Sequence, residues 1–156
     1  MTPITIGQPL PPLTAATTQG TFDSAALRGK PFVLYFYPKD STPGCTVEAQ
    51  DFRDRHAQFQ ALGCAVFGIS RDTLKSHQNF ADKQCLPFPL ITDPDETLCT
   101  LFGVMKLKNL YGKQVRGIER STFLIDRQGV LVQEWRGVKV PGHVDAVLQA
   151  AQNLAA

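Results

Sequence analysis

The hydrophobic pattern is densest between Pro31 and Pro38, where FVLYFY forms a short, aromatic-rich apolar run. Such a run predicts a central strand over 32–37, buried on both faces. Pro38 ends it, and the polar loop KDSTPG leads into a helix. The helix start is well marked. Thr42 stands at the N-cap, Pro43 at the first helical position, and Gly44 and Cys45 in the first turn. Gly63 stops the helix after about residue 62. Cys45, Phe52 and Phe59 are seven apart, so they share the face turned to the core.

The other elements follow from the same rules. The first thirty residues read as an extended arm with a small hairpin turning at Gln19-Gly20, and Asp23 or Ser24 caps a short helical turn that ends at Gly29. CAVFGIS predicts a second buried strand over 64–70, and Asp72 caps a helix running to about 84. A third strand covers 88–91, and Asp95 caps a helix that ends near Gly103. Residues 105–118 read as a basic loop. A strand over 121–125 turns through Arg127-Gln128-Gly129 into another over 130–135, and a last helix spans about 143–154. The order βαβαβαββα implies an α/β fold: a central sheet flanked by helices, made mixed by the closing hairpin. It suits a thioredoxin-like layout.

Composition adds limits. The 156 residues suit a single domain over 1–156, with no linker or repeat to divide it. Apolar residues make up 43% and charged residues 19%, a soluble globular composition. The net charge of +2 gives no push towards nucleic acid or an acidic membrane. No apolar run is long enough to span a bilayer, and the start lacks the basic and apolar regions of a signal peptide. A cytoplasmic protein is expected. Of the four cysteines, Cys45, Cys64, Cys85 and Cys99, none form a CxxC or CxxxC pair, so neither a metal site nor another cofactor is expected.

Cys45 carries the chemistry. At a helix N-terminus the unpaired N–H groups and the dipole favour a thiolate, and Gly44 leaves the backbone open to close approach. By position alone, a buried apolar cysteine fits as well. No histidine stands ready as a base: His56 shares the Cys45 face but lies about 16 Å along the helix, and nothing favours His77 or His143.

The residues around Cys45 change the balance. Pro38, Thr42 and Cys45 form PxxxTxxC within YFYPKDSTPGCTVEAQDFRD. This resembles the peroxiredoxins, and among them the bacterioferritin comigratory protein (peroxiredoxin Q) group. VFGISRD, PFPLITDPDE, YGK and ERSTFLIDRQG follow in the family's order, so the resemblance covers nearly the whole chain. It implies a thiol peroxidase acting on hydrogen peroxide and alkyl hydroperoxides. Cys45 would be the peroxidatic cysteine, oxidised to sulfenic acid. Thr42 would hold the peroxide oxygen, Pro38 would shield the thiolate from water, and Arg120 would stabilise negative charge on sulfur and oxygen. Glu48, three residues after Cys45, would orient Arg120 through a charged hydrogen bond. The alternative for Glu48 is a first-turn glutamate favoured by the helix dipole.

The resolving thiol departs from the family pattern. Many members have a second cysteine where Gln50 stands, and others near Ala81. Cys85, about one turn beyond Ala81, is the best internal candidate, and its helix end before Leu86-Pro87 should unwind cheaply. The other route is direct attack by an external thiol: glutathione, glutaredoxin or thioredoxin. Cys64 and Cys99 fall in apolar patterns and read as core.

Three rival readings remain at this level. A thioredoxin-like disulfide oxidoreductase lacks its CxxC. A redox sensor or holdase would use the same Cys45 oxidation to change partner binding. Nucleic-acid binding by the basic loop, Lys106 to Arg120, competes with a solvated loop beside the active site, which is preferred. Nothing reads as an assembly arm, so a monomer is expected.

Overall fold

A computed structural model of the chain describes residues 3–155. The arm carries a hairpin of β1 (Thr14–Thr17) and β2 (Gly20–Asp23), followed by a 3-10 turn over Ala25–Leu27. Asp23 Oδ1 accepts from Ala25 N at 3.0 Å, so Asp23 supplies the cap. The apolar run forms β3 (Phe32–Phe36), and the marked helix is α1 (Pro43–Ala61). There follow β4 (Ala65–Ser70), α2 (Leu74–Gln84), β5 (Leu90–Thr92) and α3 (Thr97–Leu101). The chain closes with β6 (Met105–Leu110), β7 (Lys113–Ile118), β8 (Ser121–Ile125), β9 (Leu131–Arg136) and α4 (His143–Ala155).

Seven strands form one mixed sheet in the order β2-β1-β5-β4-β3-β8-β9. β3, β4 and β5 are parallel neighbours, and β8 joins β3 antiparallel. Strand β3 is buried along its whole length and feeds two cores. Phe32, Leu34 and Phe36 pack with α3 and the arm, while Val33, Tyr35 and Tyr37 pack with α1, α2 and α4. This two-sided burial is why the run carries no polar residue. Among the described residues no helix is long and apolar enough to cross a membrane.

Four local expectations need correction. Residues 105–118 are not a loop: β6 and β7 pair as a separate two-stranded ribbon, turning at Tyr111-Gly112, both at positive φ. The N-cap of α2 is Thr73, whose side chain accepts from Ser76 N at 3.1 Å. Asp72 is occupied elsewhere, accepting from Ser70 Oγ and Asp40 N. Helix α3 starts after Glu96, and the carboxylate holding its first turn is Asp93, which accepts from Leu98 N and Cys99 N. The third strand begins at Leu90, two residues later than expected.

Candidate active site

The sheet register explains how distant residues meet. Phe36 pairs with Ser121, so Arg120, one residue before β8, arrives at the end of β3 where the chain turns into α1. Cys45 is in the first turn of α1, only 1% exposed, facing the same core as Phe52 and Phe59. Arg120 Nη2 donates to Cys45 Sγ at 3.4 Å, and Nη1 donates to Glu48 Oε1 at 2.7 Å. One guanidinium thus spans a thiol and a carboxylate one helical turn apart, a match to its fork geometry. Gly44 makes room for it, since a Cβ there would lie 3.1 Å from Arg120 Nη2.

Pro38 and Thr42 lie in the loop between β3 and α1, both half-buried. Thr42 occupies the N-cap position of α1, yet its hydroxyl does not cap the helix; it donates to Lys39 O at 2.8 Å. Its lone pairs are left free for another donor.

Glu48 is fully buried and reaches a second group. Oε2 has no hydrogen-bond partner among the described residues and lies 4.0 Å from His143 Nε2 at the start of α4. That ring nitrogen is within 2.8 Å of the Thr122 hydroxyl, itself buried on β8. Burial pushes the Glu48 carboxyl up to about 7, against the pull of Arg120. Burial, aided by the Arg120 charge, pushes His143 down to about 4. Sequence reasoning missed this contact because His143 and Glu48 stand on helices at opposite ends of the chain.

It also missed the clasp beneath the loop. Asp40 accepts from Tyr37 Oη at 2.7 Å, from Ser76 Oγ at 2.8 Å and from His77 Nδ1 at 2.8 Å. His77 Nε2 donates to Ile91 O at 2.9 Å. These bonds tie the loop carrying Pro38 and Thr42 to α2 and β5. Ligand atoms of Asp40, Asp72 and His77 lie within 4.8 Å of one another, a grouping able to hold a metal ion, but all three residues are engaged in hydrogen bonds.

All four thiols are free. Cys64 and Cys99 are buried, and burial pushes the Cys64 thiol up to about 12 and that of Cys99 further. Cys85 is exposed and forms the left-handed C-cap of α2. Its neighbour Gln84 is held by α1: Arg53 Nη1 donates to Gln84 O and Gln50 Nε2 to Gln84 Oε1, both at 2.9 Å. The end of α2 is therefore better tied than the Leu86-Pro87 sequence suggests.

A buried thiol at a helix N-terminus, shared guanidinium and all, on a mixed sheet of this order defines a class. Residues 6–134 match the AhpC/TSA family, and the chain belongs to that family. It is similar to the peroxiredoxin Bcp of Xanthomonas campestris pv. campestris, with 55% identity over 141 residues, covering 90% of this chain and 87% of the relative. Peroxiredoxin Bcp of Bacillus subtilis is 48% identical over 152 residues, covering 97% of each. Among solved structures, a Xylella fastidiosa PrxQ mutant superposes with a TM-score of 0.94 at 39% identity, over 100% of both chains. The Xanthomonas campestris bacterioferritin comigratory protein, solved as a trapped intermediate and ligand complex of alkyl peroxide reduction, has a TM-score of 0.88 at 51% identity over 92% of both chains. The protein is a thiol peroxidase of the peroxiredoxin type.

Proposed function

We propose that Cys45 is the peroxidatic thiol, attacking hydrogen peroxide and alkyl hydroperoxides to give a sulfenic acid and water or an alcohol. The observation that carries this is the Arg120 bridge, with Nη2 3.4 Å from Cys45 Sγ at the N-terminus of α1. A cation and a helix N-terminus both favour thiolate. Cys99 too lies in the first turn of a helix, but burial and Asp93 push its thiol up, whereas Arg120 donates directly to the Cys45 sulfur. Arg120 then stabilises charge developing on the peroxide oxygens, Glu48 orients Arg120, Gly44 admits it, and the Thr42 hydroxyl holds the peroxide by accepting a hydrogen bond from its O–H while Pro38 limits water.

The sulfenic acid is resolved by Cys85 or by an external thiol. Cys85 supports the first route by its exposure and its place beside the second turn of α1. A disulfide requires the two Cα atoms within about 7 Å, and with Cys45 and Cys85 on separate helices one or both helix ends unwind locally to reach it. Thioredoxin, glutaredoxin or glutathione completes the cycle, with the protein working as a cytoplasmic monomer without cofactor.

The test is intact mass and peptide mapping after one equivalent of hydrogen peroxide. Loss of two hydrogens with a Cys45–Cys85 linked peptide establishes the internal route. Oxygen on Cys45 alone establishes the external one. Peroxidase activity that survives Cys45→Ser overturns the site.

A further inference from the structure

Arg120 offers one positive charge to two groups that each become negative on losing a proton, Cys45 and Glu48. Both are almost fully buried, Cys45 at 1% and Glu48 at 0% exposure. If both ionised together, the site would hold an uncompensated buried charge, which is strongly disfavoured. The other groups facing Glu48 do not supply the missing cation. Asp51 on α1 and Tyr35 on β3 add only acidic groups. His143 on α4 is held in its neutral form at neutral pH. The unpartnered oxygen, Glu48 Oε2, is where a carboxyl proton would sit, 4.0 Å from the His143 ring nitrogen.

We propose that Glu48 is a proton reservoir: it stays protonated while Cys45 is a thiolate and releases that proton as Cys45 is oxidised. This rests on the assignment of Cys45 as the peroxidatic thiol. The step balances. Thiolate sulfur bonds to the terminal peroxide oxygen, the O–O bond breaks, sulfur is oxidised by two electrons and the peroxide is reduced by two. Thiolate, ROOH and the Glu48 carboxyl give sulfenic acid, ROH and the Glu48 carboxylate, with one negative charge on each side. The departing oxygen gains one proton as Glu48 releases one, so the site as a whole exchanges no net proton.

The driving force is the same guanidinium. Once sulfur is uncharged, the whole of the Arg120 charge faces Glu48, and a cation at hydrogen-bond distance favours the carboxylate. The carboxyl of Glu48, pushed up to about 7 by burial, is within reach of such a change near neutral pH. Re-reduction of Cys45 to thiolate reverses it, returning a proton to Glu48. Glu48 thereby does more than orient Arg120, because an orienting carboxylate would keep one charge throughout the cycle.

The experiment is infrared difference spectroscopy at pH 6 on the Cys85→Ser protein, which keeps Cys45 as sulfenic acid, on adding one equivalent of hydroperoxide. The expected result is loss of a protonated-carboxyl band and gain of a carboxylate band. Glutamate labelled with carbon-13 at the side-chain carboxyl should shift both, which needs no further variant, and Glu48→Gln should abolish both. Mass spectrometry of the same sample separates the two possible failures. Oxygen on Cys45 with no carboxyl change overturns the reservoir and leaves the peroxidase assignment standing. No oxygen on Cys45 overturns both.

Discussion

Glu48 Oε2 and His143 Nε2 face each other at 4.0 Å inside the protein, and burial drives their titrations in opposite directions. Folding raises Glu48 from its ordinary 4.5 to about 7, so the unfolded chain ionises first and stability is lost as pH rises across that window. Folding lowers His143 from 6.5 to about 4, so the unfolded chain takes up the proton first and stability is gained as pH rises from 4 to 6.5. Each effect alone amounts to about 3 kcal/mol. Between pH 4.5 and 6.5 they oppose, and the wild type should show little net slope from this pair. Glu48→Gln should gain stability with rising pH over that window, and His143→Gln should lose it. Urea midpoints at several pH values read this directly; parallel profiles for all three proteins would count against the pair.

Gly44→Ala should separate stability from chemistry. An alanine in the first helical turn stabilises by about 0.5–1 kcal/mol over glycine. Its Cβ would also meet Arg120 Nη2 at 3.1 Å, so the guanidinium must give by a few tenths of an ångström, weakening its bond to Cys45 Sγ. The variant should melt no lower than the wild type while iodoacetamide modifies Cys45 several-fold more slowly. An unchanged alkylation rate would show that Arg120 tolerates the intrusion.

Asp40→Asn tests the clasp beneath the Pro38–Thr42 loop. The carboxylate accepts three side-chain bonds, from Tyr37, Ser76 and His77, and an amide cannot accept them all. Leaving a buried donor without its acceptor costs about 1–3 kcal/mol. The variant should lose stability of that order, and KM for peroxide should rise more than kcat falls, because Thr42 and not Cys45 is displaced. Unfolding midpoints and steady-state kinetics measure the two effects; a wild-type KM in a destabilised protein would confine Asp40 to structure.

The sequence revealed those parts of the molecule whose causes are local. The FVLYFY run, buried on both faces as β3, has only one comfortable environment, and the Thr42-Pro43-Gly44 start of α1 carries its own punctuation. The ribbon of β6 and β7 escaped because both of its faces meet water, so no apolar alternation marks it; Leu107 and Tyr111 are 68% and 98% exposed. The cap of α2 was misplaced by one residue since Asp72 is claimed by Ser70 and Asp40, a competition that spans the chain. Arg120 was legible through the resemblance of the ERSTFLID segment and Glu48 through its spacing from Cys45 on the helix, but the pairing of Thr122 with His143 and of Asp40 with His77 joins segments 21 and 37 residues apart and leaves no local mark.

With Cys45 as the proposed peroxidatic thiol, its near-complete enclosure makes the site a size filter. A peroxide is small enough to reach the sulfur by minor side-chain movement, whereas a protein thiol needs the first turn of α1 to open. The two halves of the cycle therefore differ in kind. On that proposed cycle, recovery by a protein thiol requires helix opening and oxidation does not, so heating should speed recovery more steeply than oxidation.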